Sequence, residues 1–386
     1  MRHHPRFRVA LGALALTAAP LALVVAAAGP ATAATVNVTT TTDGGTGSLR
    51  EAIETLAVNG GGDTVVLQAG ATYQLTCTGG DLTHGSTPLI IEGNGATIEQ
   101  TCAGQRVLDH GTGTLELYDV TLTGGDIDGP GAGVRTAGDL DVVRSTIRDN
   151  ITGTSSAGGG IATVGGAVDV LIQESTLSGN TARNGGAVGV TAGTNVLVIN
   201  STITDNHADG GPGTGVGGAL SNNGNGTFVF VYSTIVDNTA ESGGGTFSIG
   251  GGSTIVVGHS VIAGGDCSLN GNTVTSLHNV TTEASCGLDD ASDVLVTDVQ
   301  LGALGDNGGP TLTMLPAAGS PVLDIVPADE CSAEPYAVVT DQRGEARPDT
   351  AGGRCDAGAV EGAAEVVAPP TPPGPRPVVA QPDFTG

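Results

Sequence analysis

The sequence predicts an all-β protein wound as a parallel β-helix. It is about ten coils long at roughly 27 residues per coil, with a short helix capping its N-terminal end and an irregular cap at the other. Two markers sharing one period carry that prediction. Ser145-Thr146-Ile147, Ser175-Thr176-Leu177, Ser201-Thr202-Ile203, Ser233-Thr234-Ile235 and Ser260-Val261-Ile262 follow one another at 30, 26, 32 and 27 residues, and Val120-Thr121-Leu122 is an earlier, degenerate copy. Gly131-Ala132-Gly133-Val134, Gly158-Gly159-Gly160-Ile161, Gly185-Gly186-Ala187-Val188 and Gly217-Gly218-Ala219-Leu220 recur at 27, 27 and 32. A third observation selects strands over helices. Each repeat holds short β-branched runs such as Val168 to Ile172 between Gly or Asn turns, with no amphipathic helical period. Helical solenoids and βαβ sheets are thereby excluded.

The elements follow in order. Met1 to Arg8 carries three Arg, Val9 to Ala28 is almost wholly apolar, and Ala31-Thr32-Ala33-Ala34 follows. This is the basic, apolar and A-x-A order of a secretory signal, so residues 1–34 are expected to be removed on export, with no membrane insertion afterwards. Residues 35–62 read as the N-terminal cap: Ser48-Leu49-Arg50-Glu51 is a capping box, and Leu49, Ile53 and Leu56 continue at helical spacing to about Asn59. Such a cap covers strand edges that would otherwise pair with other chains.

Residues 63–300 are the coils. Equivalent residues should stack about 4.8 Å apart. Leu122, Ile147, Leu177, Ile203, Ile235 and Ile262 then form one interior column, and Leu115, Leu140, Val170, Val196, Phe228 and Ile255 another. Asn150, Asn180, Asn206 and Asn238 each stand three residues after the Ile or Leu of their marker. They are placed to bond amide to amide along the axis while tolerating a left-handed turn. Residues 301–362 read as the C-terminal cap, and the Pro-rich residues 363–386 as a disordered tail.

Composition narrows the function. The chain has 13 Lys plus Arg against 39 Asp plus Glu, a formal charge of −26, and all 13 basic residues are Arg. Without the three Arg of the first ten residues, 10 against 39 leaves −29. Such a chain repels phosphate backbones and anionic lipid, which excludes a nucleic-acid partner. At 39% hydrophobic residues it still has a core's worth of apolar surface. Cys77 and Cys102, Cys267 and Cys286, and Cys331 and Cys355 are 25, 19 and 24 residues apart, with no C-x-x-C. Among fifteen connectivities, the sequential one is expected, in an oxidising compartment. No His spacing beside the cysteines suits zinc, and the G-G-x-G-x-D repeats of calcium β-rolls do not occur, so the sequence predicts no cofactor.

Asp43-Gly44-Gly45-Thr46-Gly47-Ser48-Leu49-Arg50-Glu51-Ala52-Ile53 resembles the N-terminal CSLREA motif of secreted bacterial right-handed β-helix proteins, with Gly47 where that motif has Cys. Leu301 to Thr313, Gly319-Ser320-Pro321, Asp341-Gln342-Arg343-Gly344, Arg347-Pro348 and Cys355-Asp356-Ala357-Gly358-Ala359 are similar to the C-terminal segment of the same group, the choice-of-anchor Q signature. The resemblance implies a pectin-lyase-like right-handed helix, export, and surface display through a variable C-terminal anchor. It implies no particular reaction. The terminal Gln381-Pro382-Asp383-Phe384-Thr385-Gly386 departs from an L-P-x-T-G sorting motif.

Polysaccharide lyase or hydrolase chemistry needs paired carboxylates, or calcium held by carboxylates beside an Arg base, along a groove. Asp139 and Asp141 share a strand face by alternation and Arg144 follows, which makes these three the catalytic candidates. The same register puts Asp119, Arg144, Glu174, Asn200, Tyr232 and His259 in one polar column, which also suits a solvated ladder of charges. Nine Phe and Tyr, with no Trp, leave few rings to stack on sugars. The leading expectation is therefore a secreted or cell-surface scaffold, non-catalytic and adhesin-like, that binds a polysaccharide or cell-surface ligand. A lyase or glycoside hydrolase is the alternative. A flat ice- or polymer-binding face built on Thr121, Thr146, Thr176, Thr202 and Thr234 lacks the second Thr column it would need.

Overall fold

The structure is a computed structural model, described here for residues 33–57, 61–211, 213–331 and 338–362. The expected signal segment up to residue 32 and the tail from residue 363 lie outside the described residues. The chain winds as an all-β parallel solenoid of about nine turns. An 18-stranded sheet takes two rungs from most turns, and an 8-stranded and a 5-stranded sheet form the other sides. The first rung, Thr35–Asn37, pairs with Thr64–Val66, and the helix lies between them in the chain.

The interior columns stack in register. Ile147 lies between Leu122 and Leu177, and Ile203, Ile235 and Ile262 continue the pile. Each is at most 1% exposed. The column from Leu115 through Phe228 to Ile255 is equally continuous. Burial of each such side chain contributes roughly 1.5–3 kcal/mol, so these columns hold the coils together.

Polar side chains set the corners. Asp119, Arg144, Glu174, Asn200, Tyr232 and His259 each form a one-residue left-handed bend, with φ between 46° and 54°. The Ser that follows turns its hydroxyl inward and accepts the N–H of its equivalent one coil earlier: Ser145 N–H donates to Ser175 Oγ at 3.1 Å, and Ser175 N–H to Ser201 Oγ at 3.1 Å. This explains the Ser of the repeat marker. The asparagines form a second ladder, Asn150 Nδ2 donating to Asn180 Oδ1 at 3.0 Å, Asn180 to Asn206 and Asn206 to Asn238 at 2.9 Å. The left-handed turn expected of them falls one residue earlier, on Asp149, Gly179, Asp205 and Asp237. The backbone reverses there, and the amide then tucks beneath the next coil.

The N-terminal helix differs from its prediction in two ways. Ser48 Oγ accepts from Glu51 N–H, but the Glu51 carboxylate reaches Gly47 N–H at 2.6 Å because Ser48 N–H is already bonded to Gly45 O. After Leu49–Glu51 the helix opens into a π turn, Ala52–Leu56, closed by Ala57 N–H on Ala52 O. The wider turn rotates Leu56 off the apolar stripe, leaving it 43% exposed while Leu49, Ile53 and Ala57 are buried. The expected end at Asn59 lies outside the described residues.

The disulfides are Cys77–Cys102, Cys267–Cys286 and Cys331–Cys355. The first joins the ends of two stacked rungs across 25 residues. Replacing both of its cysteines with Ser should lower stability by about 2–4 kcal/mol, measured by urea unfolding with m fitted separately for each protein, since the opened unfolded chain exposes more surface.

The C-terminal segment is not an end cap. Residues 299–331 and 338–362 run back along the flank of the solenoid as a clasp. Thr176 Oγ1 donates to Leu312 O at 2.6 Å, Asn200 Nδ2 to Thr340 O at 2.6 Å, Thr202 Oγ1 to Gln342 Oε1 at 2.7 Å and Tyr232 OH to Cys331 O at 2.8 Å. The physical cause is a change along one outward column, which reads Glu116, Asp141, Leu171, Leu197, Val229 and Val256. Its apolar half needs cover, and Val326 with the Cys331–Cys355 bridge supplies it over Val229 and Val231. On the neighbouring rungs Val299, Met314, Val322 and Ala357 pack on Val236, Val261 and Val280.

Candidate binding groove

The clasp reaches only part of the bend column. Where it stops, Pro310 walls an open depression of 360 Å³ lined by Asn94, Asp119, Thr121, Arg144 and Thr146. Arg144 and Asp119, on adjacent coils, meet there as a two-pronged pair at 2.8 and 2.7 Å. The guanidinium carbon lies 5.9 Å from the centre of the Tyr118 ring, and the Tyr118 hydroxyl donates to Glu116 at 2.9 Å. Burial, then the charge of Glu116 and its hydrogen bond, push the Tyr118 phenol well above its usual range, with Asp141 and Glu92 adding to the effect. The Asp119 hydrogen bonds raise Arg144 further from neutrality. The site thus holds a permanent cation, a neutral phenol and surrounding carboxylates.

One column of threonines separates the covered half from the open half. Under the clasp, Thr176 and Thr202 donate to it and Thr234 accepts the Ala359 N–H at 3.0 Å. Among the described residues, the hydroxyls of Thr97, Thr121 and Thr146 on the open coils have no hydrogen-bond partner. Thr176, Thr202 and Thr234 are buried beneath the chain's own C-terminal segment, so the five threonines do not form an exposed flat face.

Of the three catalytic candidates, only Arg144 lines the depression. Asp139 stands exposed in the turn before Leu140–Val143, and its carboxylate accepts Asp169 N–H at 3.0 Å. Asp141 lies mid-strand, in register with Glu116, and Arg144 occupies the bend with its donors engaged by Asp119. Sequence reasoning did not single out Glu92, Glu116 or Tyr118. The signal was available beside the interior pairs, because alternation turns Glu116 outward after Leu115, and Glu92 and Tyr118 outward after the paired Ile91 and Leu117.

The remaining bend residues floor the clasp. Tyr232 and His259 rings lie 4.7 Å apart, and His278 stacks 5.9 Å beyond. Burial and the neighbouring His278 lower His259 to about 4, so it is neutral. Arg347 of the clasp sits 4.1 Å over the Tyr232 ring and pairs with Glu361 at 2.8 Å. Gln342 Nε2 donates to Thr176 Oγ1 at 3.0 Å and Thr311 Oγ1 at 2.8 Å. The Asp341 carboxylate gathers the N–H groups of Arg343, Glu345 and Glu361. The Asp341-Gln342-Arg343 motif therefore fastens the segment to the coils. Among the described residues, no group of three or more His, Cys, Asp or Glu side chains is arranged to hold a metal ion.

No family model matches the chain. No curated protein matches it either. Among solved structures it is similar to the crystal structure of pectate lyase Pel9A, with 15% identity, a TM-score of 0.40, and coverage of 86% of this chain and 97% of that one.

Proposed function

We propose that this protein is an exported β-solenoid scaffold that binds a polysaccharide or cell-surface ligand along the open groove without turning it over. One observation carries the reading. The groove presents unpartnered hydroxyls at Thr121 and Thr146 beside a fixed Arg144–Asp119 fork, which suits hydrogen bonding to polyols, while Arg144 is pushed away from the neutral form that a base requires. The basic-apolar-A-x-A leader and three disulfides support export, and the CSLREA-like and choice-of-anchor-like segments support surface display.

The alternative, a polysaccharide lyase or glycoside hydrolase, is favoured by Asp141, Glu116 and Glu92 clustering around Tyr118. A glycan array with the mature chain, run beside a depolymerisation screen, separates the two. Binding without new reducing or unsaturated ends is the expected result, and release of such ends would overturn it. Arg144→Ala should weaken binding about tenfold, equivalent to roughly 1.4 kcal/mol.

A further inference from the structure

Two histidines inside the solenoid play no part in that groove. His84 ends the rung Leu82–His84 and His110 ends Leu108–His110, in register on adjacent coils. Their ring planes are parallel to within 1°, with centroids 5.0 Å apart. They are 3% and 1% exposed. His84 Nε2 lies 2.6 Å from Ala57 O, at the end of the N-terminal helix, and His110 Nε2 lies 3.0 Å from Gly113 O. A carbonyl oxygen only accepts, so both Nε2 atoms carry hydrogen. Thr87 Oγ1, 3.4 Å from His84 Nε2, takes a weak share of the same hydrogen.

That leaves the two Nδ1 atoms facing each other at 3.1 Å. With no hydrogen between them, two lone pairs would oppose at hydrogen-bonding distance in a dry interior. With two hydrogens, two N–H groups and two positive charges would collide. One hydrogen satisfies both nitrogens. We propose that His84 and His110 share a single proton between their Nδ1 atoms, and that this buried imidazolium–imidazole pair is a proton-dependent bolt holding the helix end to the adjacent coils.

The surroundings agree. Asp109, on the strand of His110, carries a negative charge that acts on His110 and is held by Arg106 and Arg135. Glu54, on the helix side, is held by Arg50, and the next rung offers the neutral Thr136. Burial and the charge on His84 lower His110 to about 4, so a second proton stays out near neutrality. The linkage signs follow. Above about 6.5, the ordinary histidine value, the unfolded chain binds no proton at these two rings and the folded chain binds one. Stability therefore falls as pH rises through release of that proton. Between about 6.5 and about 4 the unfolded chain binds two and the folded chain one, so stability falls as pH drops.

The test uses the whole chain labelled with ¹⁵N in histidine, at pH 8. The expected spectrum shows one exchange-protected, far-downfield proton coupled to two Nδ1 nitrogens, and His110→Leu abolishes it. Two neutral Nε2–H rings with bare Nδ1 atoms would overturn the proposal. Calorimetry on the unmodified protein gives a second reading that needs no variant. Unfolding at pH 8 in buffers of different ionisation enthalpy should release about one proton, and release of none would equally overturn it.

Discussion

Arg347→Met should destabilise the clasp by about 3–5 kcal/mol, because it leaves the Glu361 carboxylate buried without its partner. Arg347 and Glu361 are both buried, and the guanidinium also donates to Asp356 O at 2.8 Å and Gly358 O at 3.0 Å. Burial already pushes Glu361 up to about 7 against the pull of Arg347, so the pair has little to spare. The variant should expose residues 299–362 to protease while the coils persist, and limited proteolysis followed by mass analysis reads this directly. Adding Glu361→Gln should restore part of the loss, since the second change removes the orphaned charge. Equal cleavage of Arg347→Met and the parent protein would show that the clasp does not depend on this pair.

The second large effect concerns the asparagine ladder. Asn180 accepts from both the N–H and the Nδ2 of Asn150, and donates to Ile147 O at 2.9 Å and Asn206 Oδ1 at 2.9 Å. Asn180→Ala strands several fully buried groups at once, each costing about 1–3 kcal/mol. A total on the order of 4 kcal/mol is expected, although the side chain is polar and carries no charge. Asn195→Ala, on an exposed rung position, should stay within about 0.5 kcal/mol. Urea unfolding of the two variants side by side decides the matter, and similar midpoints would deny the ladder its role.

The coils were legible because each residue of a repeat meets the same residue type in its neighbours, so a period in the sequence is also a contact map. Ile147 over Leu122 and under Leu177 could be read off the Ser-Thr-Ile spacing alone. The clasp was not legible in that way. Its contacts join residues far apart in the chain, as in Thr176 with Leu312 and Asn200 with Thr340, separated by 136 and 140 positions, and its own sequence does not repeat. What the sequence did contain was the switch from Glu116 and Asp141 to Leu171, Leu197 and Val229 on an outward column, which signals a covered surface without saying what covers it. The groove was half visible. Asp119 and Arg144 fell in the polar column and line the depression, whereas Asp139 and Asp141, which alternation turns to one side of their strand, do not line it.

The clasp also constrains how such a chain can grow. A whole coil can be inserted or excised between the first rungs, because each ladder rung bonds only to its neighbours and the break reseals. Beneath residues 299–362 that freedom is gone: Leu312, Thr340 and Ala359 grip Thr176, Asn200 and Thr234 at set intervals, like the jaws of a caliper. Descendants of this sequence should therefore vary in length upstream of residue 140 and stay constant downstream.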